Sequence, residues 1–216
     1  MGLCDFLKQR QVNREADRPM AEDGDVVPDI VLPMEPDPER PPVCRCTREN
    51  QGLRWHDKPV RYWIDTESFG EFSQSVEHVI LSCFVDLQRV SGLEHQRVNK
   101  EVDANIRLYM RVLDGMNGTL GVAYQAHGSF EFMDDHLVMA APFVGDVIID
   151  LSERWTMRSL RDVLLHEICH AVGIDHIHDQ RAVMNPFYVG TSELHDLDIE
   201  QVVLRYGQSN NERLMS

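Results

Sequence analysis

His166-Glu167-Ile168-Cys169-His170 sets two imidazoles four residues apart with a carboxylate beside the first. On a helix, positions four apart share a face, so His166 and His170 can offer two ring nitrogens to one metal ion. Glu167 projects next to them, where it can hold a water without being a ligand. Two His and a positioned carboxylate are what zinc-assisted peptide hydrolysis needs. Zinc lowers the pKa of its water from about 15.7 toward about 7, and the carboxylate takes the proton and later passes it to the leaving amine. The run continues Ala171-Val172-Gly173-Ile174-Asp175-His176. Gly173 permits the positive φ that ends a helix and turns the chain, which delivers His176 as a third ligand. Three protein ligands and an open fourth position describe a catalytic rather than a structural zinc. Cys169 falls between the ligands on another face and reads as core.

These side chains need elements to carry them. The spacing predicts a helix from Ser159 to about Ala171, with Ser159 and Asp162 forming a Ser-x-x-Asp capping box. Val60-Arg61-Tyr62-Trp63-Ile64 alternates as a strand does, and so does the segment 104–110. Residues 73–90 carry Val76, Val79, Ile80, Phe84 and Leu87 at helical spacing. Short strands are predicted at 121–124 and 145–150, and a final helix over 194–206. Strand, helix, strands, helix, helix is an α/β or α+β order built on one sheet.

The 216 residues allow one domain of ordinary size, and a composition of 26% charged and 43% hydrophobic residues excludes a fibrous or fully disordered chain. A net charge of −15 repels phosphate backbones and anionic lipid, so nucleic acid and membrane surfaces are excluded as partners. Five scattered Cys are poor material for a disulfide framework. No signal peptide or transmembrane stretch is evident, and Gly2 lacks the Ser or Thr four residues on that a myristoylation motif wants. The expected location is therefore soluble and intracellular by default, or exported by a non-standard route. Seven of the ten prolines precede residue 43, interleaved with acids. Residues 1–50 read as a flexible acidic tail or pro-segment, 51–207 as the catalytic domain and 208–216 as a C-terminal tail.

His166-Glu167-x-x-His170-x-x-Gly173-x-x-His176 resembles the extended zinc motif of the metzincins, and Met184 in Ala182-Val183-Met184-Asn185-Pro186 resembles their Met-turn. Within that group, residues from about 54 to 207 are most similar to the matrixins, the matrix-metalloproteinase-like catalytic domains. The likeness implies an α+β fold of metzincin type. Its sheet is mixed, twisted and mostly parallel, with an antiparallel substrate-binding edge strand. It packs on a long helix and the zinc-site helix, and a C-terminal helix completes the fold. It implies that Gly121, Val122 and Ala123 lie on that edge strand, and that Pro186 and Tyr188 wall the pocket beyond the cut. Asp150 and Glu153 match acids that bind structural calcium in the family, and they read equally as solvated turn acids. Val122 and Ile148 stand where matrixins place His ligands of a second zinc, so one catalytic zinc is expected. Ile177 replaces the usual Ser after the third His, which marks a divergent member. Cys44 and Cys46 are either a thiolate latch on the zinc or plain tail cysteines. The segment 125–142, with His127 and His136, has no counterpart in the family.

The function expected is a zinc-dependent endopeptidase acting on extended protein or peptide substrates through a Glu167-activated water, with the chain taken as a monomer. The alternatives are a non-catalytic, zinc-stabilised binding module or a particle-associated interaction protein of the same fold. Asp162 also has two readings: a helix cap, or, as the resemblance to matrixins implies for the residue four before the first His, part of the floor of the pocket that takes the side chain just after the cut, where an acid would favour a long basic or polar one.

Overall fold

A computed structural model describes residues 54–124 and 145–209. The tail with Cys44 and Cys46, and the segment with His127 and His136, lie outside the described residues. Five strands form one sheet in the order β2-β1-β3-β5-β4, where β1 is Val60–Ile64, β2 His95–Arg97, β3 Ile106–Arg111, β4 Gly121–Ala123 and β5 Asp146–Asp150. All neighbours run parallel except β4, which runs antiparallel to β5. This is the mixed sheet with an antiparallel edge strand expected from the sequence.

The alternation in β1 is real: Val60, Tyr62 and Ile64 are buried while Arg61 and Trp63 are half-buried. Helix α1, Val76–Val90, buries Val76, Ile80, Cys83, Phe84 and Leu87, a stripe at steps of three and four that seats it against the sheet. It starts three residues later than the spacing suggested, because a 3₁₀ stretch at Thr66–Phe72 precedes it. Helix α2, Met157–Ala171, packs on α1, β4 and β5 and is buried at every position from Asp162 onward. Helix α3, Asp196–Tyr206, closes the fold, and Gln208 bridges back to Ser91.

Two expectations are corrected here. Strand β2 was not predicted; its three residues, His-Gln-Arg, are too few and too polar to show alternation. The capping box of α2 is also not Ser159–Asp162. Thr156 is the N-cap: its Oγ1 accepts the Ser159 N–H at 3.1 Å, and Ser159 Oγ accepts the Thr156 N–H at 3.0 Å. Ser159 is thus the third helical residue rather than the cap, and Asp162 is left one turn inside the helix, with no orphan amide to serve.

Candidate active site

Helix α2 delivers His166 and His170 on one face, and its C-terminus determines where the third His falls. Gly173 has φ +94°, its N–H donates to the His170 carbonyl at 2.8 Å, and the Ile174 N–H donates to the Cys169 carbonyl at 2.9 Å. That pair of bonds is a Schellman motif, which needs the left-handed residue that glycine supplies without strain. The chain reverses and carries His176 over the helix end. Nitrogen atoms of His166, His170 and His176 then lie within 4.8 Å of one another, and His170 Nε2 and His176 Nε2 are 3.0 Å apart.

The two helical rings are also oriented. His166 Nδ1 lies 2.7 Å from the Val183 carbonyl and His170 Nδ1 lies 2.6 Å from the Ile174 carbonyl. A carbonyl only accepts, so both Nδ1 atoms carry the proton and both Nε2 atoms present lone pairs. Burial, reinforced by the neighbouring imidazoles, holds the His166 pKa well below its ordinary value and lowers that of His176 to about 3. Neutral imidazoles are the ligand form. Ligands at about 2.0–2.1 Å in a tetrahedron stand roughly 3.3 Å apart, so the 3.0 Å approach needs little adjustment to receive zinc. The donor set fits that ion. Among the described residues this is the group of His, Cys, Asp or Glu that converges closely enough to hold a metal.

Glu167 is fully buried and stands against the edge strand: a Cβ built on Gly121 would lie 2.7 Å from its Oε1. Absence of a side chain at Gly121 is therefore what lets β4 approach the carboxylate. Gly121 and Ala123 are buried and Val122 is half-buried, opposite Ile148 in the β4–β5 register. Neither of that apolar pair is a metal ligand. Cys169 is in the core, and burial raises its thiol pKa well above the ordinary value.

The turn expected as the Met-turn backs one ring of the three-His group. Met184 is fully buried, its carbonyl accepts the Ile177 N–H at 2.8 Å, and the neighbouring Val183 carbonyl holds His166. The turn is tied down by a residue whose role here the sequence did not disclose. Asp198, buried in the first turn of α3, accepts the N–H groups of Val183 (2.9 Å), Met184 (3.1 Å) and His195 (2.8 Å). In sequence it shows as an acid near the start of a helix that resembles the closing helix of matrixins, with nothing to tie it to the turn. The end of α2 is secured likewise: Trp55 Nε1–H donates to the Ala171 carbonyl and the Tyr206 hydroxyl to the Val172 carbonyl, each at 2.9 Å.

Pro186 and Tyr188 follow the Met-turn, both half-buried. The Tyr188 hydroxyl donates to Asp162 Oδ2 at 3.1 Å; its pKa is pushed up to about 12 by burial, and further by the charge and hydrogen bond of Asp162. Asp162 is buried beside it rather than capping the helix. Asp150 is fully buried and Glu153 half-buried, so neither is the solvated turn acid that one reading allowed. Both brace the loop before β4. Asp150 Oδ1 accepts the Leu113 N–H (3.2 Å) and the Ser152 N–H (2.8 Å), and Glu153 Oε1 accepts the Gly118 N–H (3.2 Å).

A mixed sheet with one antiparallel edge, a helix presenting two His and a Glu, a third His returned by a glycine turn, and a buried Met in the turn that follows define a metzincin-type metalloprotease domain. The matrixin family pattern matches residues 54–207, and the chain belongs to that family. It is 28% identical over 156 residues to a protein named "Probable matrix metalloproteinase 095L" from Invertebrate iridescent virus 3, a match spanning 66% of this chain and 41% of that protein. It is 29% identical over 174 residues to interstitial collagenase of Sus scrofa, spanning 73% of this chain and 34% of the collagenase. To matrix metalloproteinase-25 of Mus musculus it is 34% identical over 159 residues, spanning 64% and 24%. The chain thus covers less than half the length of each of these relatives.

Proposed function

We propose that the chain is a zinc endopeptidase that hydrolyses extended protein segments laid along β4. The observation that carries this reading is the buried Glu167 carboxylate, set between a three-His metal group and the side-chain-free Gly121 of the edge strand. His166, His170 and His176 would hold the ion, which when bound supplies a Lewis acid to polarise the scissile carbonyl and acidify water. Glu167 orients the attacking water, takes its proton and returns it to the leaving amine. Its burial strengthens those interactions by excluding bulk solvent. An incoming peptide adds to the sheet through main-chain hydrogen bonds at the β4 edge, which aligns the scissile bond with the carboxylate. A binding module would have no use for a carboxylate kept at this position.

The test is cleavage of an unstructured protein by the purified chain, with and without a chelator, beside Glu167→Gln. The variant should keep one zinc per chain and lose roughly 10²–10⁴-fold in rate, the usual worth of a positioned general base. Near wild-type cleavage by Glu167→Gln, or cleavage that survives complete removal of metal, would refute the reading.

A further inference from the structure

The sheet edge opposite β4 carries polar groups that have no part in that chemistry. Strand β2 pairs with β1 so that His95 lies beside Val60 and Arg97 beside Tyr62. Residues paired across a ladder share a face of the sheet, so His95 and Arg97 point where Tyr62 does, toward α1. Strand positions under a helix are ordinarily apolar, yet these two hold an imidazole and a guanidinium. Between them and the first turns of α1 opens a cavity of about 370 Å³, lined by Tyr62, Glu77, His78, Leu81, His95 and Arg97. That volume is within the range in which small ligands are held. Four strand spacings, about 19 Å at roughly 4.8 Å each, separate β2 from the strand that Glu167 meets.

The floor of the cavity is an aromatic stack: ring centroids of Tyr62 and Phe84 lie 4.3 Å apart, and those of Phe84 and His95 5.4 Å apart. Leu81, exposed on α1, adds an apolar wall. His95 Nδ1 is buried, and no described residue offers it a hydrogen bond. Among the described residues the Tyr62 hydroxyl has no hydrogen-bond partner either. Arg97 Nη2 donates to Glu77 Oε1, which leaves the other N–H groups of its fork open. Burial raises the Tyr62 pKa, and the Arg97 and Glu77 charges act on it in opposite senses, as they do on a hydroxyl close to that ion pair. Burial lowers the pKa of His95, so its ring is neutral and carries one N–H. A phenol, a neutral imidazole and a part-filled guanidinium offer more donors than the single Glu77 carboxylate takes up. The cavity lacks an acceptor.

We infer that this cavity is a second binding site, which takes a carboxylate carried on a small apolar body. The carboxylate meets the open N–H groups of Arg97, the Tyr62 hydroxyl and the His95 ring, while the body rests on the aromatic stack and Leu81. A carboxylate on a guanidinium makes charge-assisted hydrogen bonds, roughly twice as strong as neutral ones. It also supplies the acceptor that buried His95 Nδ1 lacks. Glu77 in the lining weighs against a more highly charged anion such as phosphate. A free small acid and an acidic peptide side chain share this chemistry, and the test separates them. The site is independent of the peptidase reading, since none of its residues belongs to the metal group or to β4.

The test titrates the whole zinc-loaded chain with phenylacetate and with its uncharged counterpart phenylacetamide. A capped tripeptide with a central Glu is titrated beside the same tripeptide with Gln, and the His95 imidazole C–H resonances are followed by NMR in every case. The better acid should bind at least about tenfold more tightly than its neutral counterpart, the worth of one charge-assisted contact. Arg97→Gln should abolish that preference, and Tyr62→Phe should weaken acid binding roughly three- to tenfold. Carboxylates also bind zinc, so the titration is repeated on His170→Ala, where acid binding at His95 should be unchanged. Should that variant not fold, Arg97→Gln decides alone, with zinc at one per chain verifying its fold. Tighter binding of phenylacetate assigns the site to a free small acid, and tighter binding of the Glu peptide to an acidic side chain; both uphold it. If the inward His95 and Arg97 only guard a sheet edge, with water on their polar atoms, neither acid outbinds its neutral counterpart and the inference is overturned. Acid binding that Arg97→Gln and Tyr62→Phe leave unchanged, or that disappears in a folded His170→Ala, overturns it too. No arm reads hydrolysis, so a chain that cuts nothing refutes the peptidase reading and leaves this result standing.

Discussion

At the residue scale, reactivity depends on how closely other atoms approach Glu167. The carboxylate is buried, and the backbone of Gly121 passes so near that a side chain there would strike Glu167 Oε1, Cδ and Cγ, all within 2.9 Å of the added Cβ. Gly121→Val should therefore push the carboxylate out of line while leaving the three His untouched. A displacement near 1 Å in a positioned catalytic group costs on the order of 10²-fold. Zinc stoichiometry should stay at one per chain as peptide cleavage falls by that order. If Gly121→Val cleaves as wild type does, the strand approach does not position the base.

At the scale of elements, two His rings are held by backbone carbonyls, and the segment that carries one of those carbonyls is held by α3. His166 is fixed by the Val183 carbonyl, and the Val183 and Met184 amides are fixed by Asp198. Asp198→Ala removes the acceptor of three amides at once, each of which costs about 1–3 kcal/mol if left unsatisfied when buried. Allowing for water entering the space, the expected loss is on the order of 3 kcal/mol in urea unfolding. Zinc affinity should weaken roughly tenfold or more, because a His whose orienting partner is loosened binds metal less well. Unchanged stability and zinc affinity would show that the Met-turn holds itself.

For the molecule as a whole, the start of the described chain is part of the site's support. Trp55 bonds the last turn of α2 and the Tyr206 hydroxyl, and Arg54 donates to the Arg205 carbonyl. A chain lacking residues 1–50 should keep its zinc and its Tm, since the proline–acid texture of that stretch offers little apolar surface to bury. A chain lacking residues 1–57 should lose roughly 2–3 kcal/mol, discounted from the range for a fully buried Trp because Trp55 is half-buried. Thermal unfolding of the two shortened chains distinguishes these outcomes, and equal losses would refute the Trp55 anchor. If the chain without residues 1–50 is no more active than the whole one, and Cys44→Ser with Cys46→Ser changes nothing, the latch reading fails. Among the described residues no helix is long and apolar enough to cross a membrane.

Most elements of this fold and the three His that converge in it could be read from residue order alone. Both rest on local spacing: apolar residues two or three to four apart, two His and a Glu within one helical turn, and a glycine where the helix must end. Strand β2 was not legible, because three polar residues at an edge leave no periodic trace. What only the tertiary structure decided involves partners far apart in sequence. Asp198 reaches the Met-turn 14 and 15 residues away, and Trp55 reaches Ala171 across 116. Asp162 shows the difference most plainly. Ser159-x-x-Asp162 has the spacing of a capping box, and local pattern favoured that reading. Thr156, three residues earlier, is the cap, and its reciprocal bonds with Ser159 start the helix there. Asp162 was thereby carried inside, beside Tyr188. A difference of three residues in where a helix starts separates a first-turn cap from a carboxylate whose burial beside Tyr188, 26 residues on, only the tertiary structure decides.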